Sequence, residues 1–368
     1  MRLTLLSAVI ITASLTACSA SQDPVSPAKL LAAEPAAEPA AQQTTAARLS
    51  VADLQREFPA DSRTAEQFPA YAEQLKAMAR QEGIKESTLT RAFENFHFIE
   101  RVITSDKNQP EKKVTLDDYL SRRVTRGAVS AAVKQHDANA ALLSGISQRY
   151  GVPQEYIVSL WGLESGFGRY QGKEDVISAL ATLAFEGRRE EMFVKQFIAA
   201  LQIIDQGHIP AGQQLKGSWA GAMGQNQFMP SSYLTYAVDG DGDGMVDIWN
   251  NKADVFASTA NYLATEGWIK GLPWGYEVSV PAGFDRSIEG TKKNQSKTLA
   301  QWKALGVTLP AQANLPETTP MWLVVPEDKQ ERVYLVTQNF ITIMHWNRSY
   351  FFALSVSLMA DNVGAEIR

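Results

Sequence analysis

The sequence predicts a mostly helical fold (mostly α, in the α+β class) with a small β element, and three observations carry that expectation. Apolar residues recur at helical spacing through 67–82 and 116–150, the pattern of helices that bury one face. Strand-like runs are confined to 276–338. No period of 20–50 residues repeats and no glycine loop follows a strand, which excludes a solenoid and a mononucleotide-binding unit. The chain has 368 residues and 45% hydrophobic content, enough for one large domain or two modest ones. Its net charge of -5 leaves no electrostatic footprint for nucleic acid, and a monomer is expected.

The N-terminus sets the compartment. Met1-Arg2 is a positive start, and Leu3 to Leu15 is an apolar stretch of signal-peptide type, too short to span a bilayer. It ends in Leu15-Thr16-Ala17-Cys18, and Cys18 is the single cysteine. This resembles a bacterial lipobox, so 1–17 reads as a lipoprotein signal peptide and Cys18 as the acylated anchor in the bilayer; an ordinary secretory signal cleaved nearby is the alternative. Ser19 is not the Asp of inner-membrane retention, which points to the periplasmic face of the outer membrane. With no second Cys, no internal disulfide supports the fold. The Ala/Pro-rich run after Cys18 has almost no large apolar residues and cannot order itself. Residues 18–64 are read as a tether, its flexible run (19–48) reaching about 30 Å, with ordered structure beginning between Val51 and Ala65, and 65–368 as the folded domain.

Phe68, Tyr71, Leu75 and Met78 define the first long helix, stopped by Gly83. Ser87-Thr88-Leu89-Thr90 starts a short one carrying Leu89, Ala92, Phe93 and Phe96. Asp106 to Lys113 is polar and reads as a surface connection. Thr115 to Asp118 resembles a helix start with an acidic first turn, and 116–150 reads as helical with a break near Gly127.

Glu164 is the candidate catalytic residue. Pro153 suits a first helical turn, and Ile157, Val158, Leu160, Trp161 and Leu163 make the helix apolar on most sides. Glu164 lies one turn beyond Leu160 and three residues beyond Trp161, on their face, and Gly166 and Gly168 end the helix directly after it. A carboxyl against apolar neighbours holds its proton to higher pH, as a general acid requires. A Glu that caps a turn or pairs with an Arg would have the same helix around it.

Further on, 176–187 and 193–204 read as buried helices around Arg188-Arg189, either a solvated junction or a fork for an acidic group. Gly217 to Tyr233 combines small residues with Gln225, Asn226 and Gln227, neutral groups suited to an uncharged sugar. None of the four His stands in a triad or zinc pattern, and the serine here is not a nucleophile elbow. Asp239-Gly-Asp-Gly-Asp-Gly resembles an EF-hand loop with hard oxygens at alternate positions, suited to structural Ca2+. Its twelfth position is Asn250 instead of Glu, and Asp254 is the carboxylate available to replace it. A solvated acidic turn is the plainer reading. A helix follows at 258–265. Tyr276 to Val280, Trp322 to Val325 and Val333 to Val336 read as short strands.

Taken together, Tyr150-Gly-Val-Pro, Trp161-Gly-Leu-Glu-Ser-Gly-Phe-Gly168, Ala179 through Arg189, Gly217-Ser-Trp-Ala-Gly-Ala-Met-Gly224, Gln227-Phe-Met-Pro-Ser-Ser232, the Asp loop and Ala260-Asn-Tyr-Leu263 resemble the membrane-bound lytic murein transglycosylase B family. Asn339-Phe340 and Trp346 to Ser349 extend the resemblance to roughly 65–368. It implies a lysozyme-like helical core near 140–270, an additional helical part, and the β part near 275–338. It also implies cleavage of the β-1,4 bond between N-acetylmuramic acid and N-acetylglucosamine in peptidoglycan glycan strands, leaving 1,6-anhydro ends. By motif position Glu164 is the single acid and base, Ser218, Gln227, Arg188, Arg189, Tyr262 and Asn339 are substrate-side residues, and Asp239, Asp241, Asp243, the Met245 carbonyl and Asp254 hold Ca2+. A hydrolytic muramidase and a non-catalytic, calcium-stabilised wall-binding lipoprotein are the competing expectations.

Overall fold

The structure is a computed structural model that describes residues 48–108, 114–326 and 332–367; Cys18 and the rest of the leader and tether up to residue 47 lie outside the described residues. In chain order the helices and strands are α1 (Val51–Glu57), α2 (Phe68–Gln81), α3 (Glu86–Ala92), α4 (Glu100–Lys107), α5 (Leu116–Arg123), α6 (Arg126–Asp137), α7 (Ala140–Tyr150), α8 (Gln154–Ser165), β1 (Glu174–Asp175), α9 (Val176–Glu186), α10 (Glu190–Asp205), β2 (Lys216–Gly217), α11 (Pro230–Tyr236) and α12 (Lys252–Thr265). Then come β3 (Gly275–Val278), β4 (Lys297–Thr298), α13 (Leu299–Ala304), β5 (Pro320–Val324), β6 (Val333–Val336), α14 (Gln338–Trp346) and α15 (Tyr350–Glu366).

Folded structure begins at the near end of the 51–65 window expected from the sequence, ahead of the domain boundary placed at 64. Ser50 opens α1 with a capping box to Asp53, and Leu54 and Phe58 are buried in the main core. Arg63 then fastens the segment. Its Nε donates to the Phe58 carbonyl at 2.7 Å, and Nη1 donates to the carbonyls of Ala184 and Phe185 at 3.2 and 2.7 Å. The Phe185 carbonyl is one of those a helix end leaves without a partner, while that of Ala184 also accepts the Gly187 N–H at 3.1 Å. Nη2 forks onto both Glu190 oxygens at 2.9 and 2.8 Å, and the Tyr71 hydroxyl donates to Oε1 at 2.6 Å. The Arg63 and Glu190 side chains are 3% and 1% exposed, so the ion pair is dry.

The 116–150 stretch breaks twice, at 124–125 and 138–139, and not at Gly127. Thr125 is the reason for the first break: its hydroxyl accepts the Ala128 N–H and starts α6, with Gly127 inside the first turn. Asp106 also departs from expectation, because α4 runs through it and buries it to 3% exposure.

The core centres on two helices. α9 is buried from Val176 to Phe185 and packs on α10. α8 buries Tyr156 to Trp161 and packs on α15, α6 and α12. The β element is one antiparallel sheet of order β3-β6-β5-β4. Its two faces alternate as strand geometry requires. Val333 and Leu335 of β6 join a small cluster with Trp302 and Met321, while Tyr334 and Val336 face the main core. β6 runs almost directly into α14, and so fixes where the end of α14 meets α8.

Candidate active site

Glu164 occupies the last turn of α8, and the backbone after it is unusual. Gly166 is left-handed at φ 58° and its N–H returns to the Gly162 carbonyl at 2.9 Å. Phe167 is also left-handed at φ 63°, a conformation that costs a non-glycine residue about 1–2 kcal/mol. Its ring packs edge-on against Trp161 at 5.3 Å, which holds it there. Gly168 is left-handed too, at φ 82°, and a Cβ there would lie 2.5 Å from the Gln225 side-chain oxygen. At the other end of α8, Pro153 is the N-cap residue, one position before the first turn.

The Glu164 side chain is partly open to the surface, yet surrounded closely enough to lose most of its hydration. Burial pushes its carboxyl up to about 7, against opposing pulls from a Trp346 hydrogen bond and the Arg123 charge. Trp346 Nε1 donates to Oε1 at 2.8 Å. The indole is itself held by Tyr262 and Phe228, with ring centroids 4.7 and 5.1 Å away. Among the described residues no ion pair is recorded for Glu164. Arg123 instead points its guanidinium at the Leu163 carbonyl, 3.4 Å away. The arrangement is a lone carboxylic acid with one oxygen anchored and the other free to exchange a proton.

The three neighbouring amides divide into two braces and one exposed group. Gln225 accepts from Trp161 Nε1 at 2.7 Å and donates to the Trp249 carbonyl at 2.8 Å. Asn226 donates to the Val255 carbonyl and the Thr259 hydroxyl at 2.8 and 2.7 Å. Both are buried. Gln227 is partly exposed in a left-handed conformation, its Nε2 donating to the carbonyls of Gly224 and Gln171 at 2.9 and 3.3 Å. Ser218 sits in a tight turn where its hydroxyl accepts the Ala222 N–H at 3.0 Å.

The other substrate-side residues separate. Tyr262 reaches Glu164 through Trp346. Arg188 and Arg189 both form ion pairs with the buried Asp106, and keep half-exposed side chains. Asn339 is fully buried and brackets a turn: its Nδ2 donates to the carbonyls of Ile269 and Leu272, and its Oδ1 accepts the Ile269 N–H at 2.7 Å. Its contribution to the site is therefore through that turn and α14, not by touching a ligand. Trp346, the residue in contact with Glu164, lies 182 positions away in sequence. It stood in a motif of the family resemblance, but no spacing connects it to α8.

Asp239, Asp241 and Asp254 bring carboxylate oxygens within 4.8 Å of one another. Asp254 is fully buried and accepts the N–H groups of Gly240 and Asp247 at 2.7 and 2.6 Å. Burial raises its pKa, as do Asp241 and Asp239 nearby, against those two hydrogen bonds. A buried carboxylate facing two more, with hard oxygen donors throughout, fits a divalent cation such as Ca2+. Asp243 stands outside this trio, its Oδ1 accepting the Met245 N–H at 2.8 Å.

A helical lysozyme-like fold with one desolvated acid at a helix end defines a class of glycan-processing proteins. The chain belongs to the transglycosylase SLT domain family, which it matches over residues 67–361. It is 35% identical over 245 residues to membrane-bound lytic murein transglycosylase B of Escherichia coli (strain K12), covering 65% of this chain and 64% of that one. The matched region thus spans less than two-thirds of that relative's length. Among solved structures, SltB3 from Pseudomonas aeruginosa in complex with NAG-NAM-pentapeptide superposes with a TM-score of 0.76 at 38% identity, covering 82% of this chain and 80% of that one. Escherichia coli Slt35 in complex with calcium gives 0.69 at 30% identity, covering 85% and 96%.

Proposed function

We propose that this chain is a lytic transglycosylase that cleaves the β-1,4 bond between N-acetylmuramic acid and N-acetylglucosamine of peptidoglycan. The observation that carries this reading is Glu164: lone, desolvated, poised near 7 and hydrogen-bonded to Trp346. Most glycosidases divide the work between two carboxylates. Here one suffices if the sugar supplies the nucleophile. Glu164 donates its proton to the glycosidic oxygen as the bond to C1 breaks. It then takes the proton of the muramyl C6 hydroxyl, whose oxygen bonds to C1 and closes the 1,6-anhydro ring. The acid is regenerated and no water is consumed. A pKa near the working pH suits both steps. Ser218, Gln227, Tyr262, Arg188 and Arg189 are assigned to the substrate side, and Asn339 to the scaffold behind it. The two complexes of SltB3, with NAG-anhNAM-pentapeptide and NAG-NAM-pentapeptide, support the substrate class.

Product analysis is the direct test. Anhydro-muramyl ends by mass spectrometry support the proposal, whereas reducing ends identify a hydrolytic muramidase. The pH profile tests the acid. Because the protonated form starts the reaction, kcat/KM should fall above about pH 7, tenfold per pH unit. Trp346→Phe removes a hydrogen bond that favours the charged form, so the alkaline limb should move to higher pH. An unmoved limb would exclude Trp346 as a tuning group.

Asp239, Asp241 and Asp254, joined by Asp243 and the Met245 carbonyl, are proposed to hold structural Ca2+, supported by the calcium complex of Slt35. Chelation should then lower the melting temperature by several degrees, equivalent to about 3 kcal/mol at a hundredfold excess over Kd. Asp254→Asn should make the transition indifferent to chelator. A wild-type transition that ignores chelator would remove the metal from the account.

Cys18 is proposed as the lipid anchor at the periplasmic face of the outer membrane, with membrane association in the Escherichia coli relative as support. No helix among the described residues is long and apolar enough to cross a membrane.

A further inference from the structure

Three helix C-termini meet at one carboxylate, that of Glu266. Glu266 is the C-cap residue of α12, Tyr236 is the last residue of α11, and His345 is the last but one of α14. The Tyr236 hydroxyl donates to Glu266 Oε1, and His345 Nδ1 stands 2.7 Å from Oε2. The Glu266 main chain grips α14 as well. Its carbonyl accepts the Thr342 hydroxyl at 3.3 Å, one turn before Trp346.

A carboxylate at this position runs against helix electrostatics. Unpaired carbonyls make a helix C-terminus negative, so it favours cations. His345, which can carry a positive charge, suits the end of α14. Glu266 breaks the rule at the end of its own helix and beside two others. Residues that break a local preference concentrate at functional sites, where their partners compensate.

What these contacts hold is the group that touches the acid. Tyr236 packs its ring on Tyr262 at 4.3 Å, Tyr262 packs on Trp346 at 4.7 Å, and Trp346 donates to Glu164 Oε1 at 2.8 Å. Trp346 is the final residue of α14, and helix ends fray unless they are tied. Thr342 and His345 are the ties to Glu266 in that last stretch. Burial, and then the Glu266 carboxylate, push the Tyr236 hydroxyl up to about 12, so it remains a donor. Two further charges act on this chain of contacts, Arg348 on Tyr262 and Arg123 on Glu164.

We propose that Glu266 is a positioning residue for the reaction: its carboxylate, gripped by Tyr236 and His345, keeps Trp346 Nε1 on Glu164 Oε1. The inference rests on the proposed activity for what Glu164 does, whereas the tie itself does not depend on it.

The sign of a pH shift tests it. Loss of a negative charge would by itself ease ionisation of Glu164 and move the alkaline limb of kcat/KM to lower pH. Loosening Trp346 instead weakens a hydrogen bond that favours ionised Glu164. Glu266→Ala should therefore move the limb to higher pH, by about half a unit. The Trp346 indole N–H, followed by NMR in the full chain, should shift upfield as its hydrogen bond weakens. In a Trp346→Phe background Glu266→Ala should add no further upward shift of the limb. Tyr236→Phe keeps the ring on Tyr262 and removes only the hydroxyl, so it should move both readouts the same way by less. If Glu266→Ala lowers the melting temperature but leaves limb and indole signal in place, Glu266 is a structural tie only and the proposal is overturned. A limb that moves to lower pH overturns it too, as does one that rises equally without Trp346. The indole readout needs no turnover. If wild-type protein releases no anhydro product while the indole signal still moves in Glu266→Ala, the proposed activity fails and the positioning role stands.

Discussion

Glu164→Gln should reduce release of anhydro-muramyl products by on the order of 10³-fold or more, because the same carboxyl serves two proton transfers, and should leave the protein folded. The replacement is nearly isosteric, and its amide oxygen can still accept the Trp346 N–H that now meets Oε1 at 2.8 Å. It should also change stability with a definite sign. The folded-state pKa is raised from 4.5 to about 7, so the folded protein binds the proton more tightly than the unfolded chain. That contribution is complete below about pH 4.5 and is lost as pH rises through about 7. The Gln variant has no such dependence. Above pH 7 it should be the more stable protein by about 1–3 kcal/mol, the lower end reflecting partial solvent access at the carboxyl. Urea unfolding at pH 4 and pH 8 checks this. Identical differences between the two proteins at both pH values would show that the carboxyl is not desolvated, and full activity in the variant would end the catalytic assignment.

Arg63→Met should cost about 3–5 kcal/mol, among the largest effects of any single replacement outside the active site. The substitution leaves Glu190 charged and without its cation in a site where both side chains are almost fully buried. It also strips two hydrogen bonds from the end of α9 and one from the Phe58 carbonyl. Denaturant unfolding measures the loss directly. The double variant Arg63→Met/Glu190→Met should be less destabilised than the single one, since an apolar pair leaves no orphaned charge. If the two lose equally, the interaction with Glu190 is not what Arg63 contributes. A chain trimmed at residue 64 should unfold as readily as Arg63→Met.

These two residues differ in how visible they were. Glu164 stands in a local pattern: an apolar run, a carboxyl one turn on, and two glycines that stop the helix. Each of those signals lies within a few residues, so α8, its end and its candidate acid were legible from the sequence. So were α2, α9, α10 and the three strands β3, β5 and β6, whose periodicities are equally local. Arg63 had no such signal. It follows a tether-like segment, and the carbonyls and carboxylate that enclose it come from 121–127 positions later.

The chain by itself therefore determined many of the helices, which carboxyl could act as the acid, and which aspartates could share a cation, because each depends on spacing along one element or loop; α1, α4, α11, α13, α14 and α15 emerged only in the fold. Tertiary structure alone decided that Trp346 holds Glu164, that Asn339 turns inward to brace a loop, that Arg188 and Arg189 meet at Asp106, and that Arg63 fastens the first segment to α9 and Glu190. Those outcomes depend on groups brought together from distant positions. Burial and hydrogen-bond saturation, which settle each of them, exist only once the helices have packed.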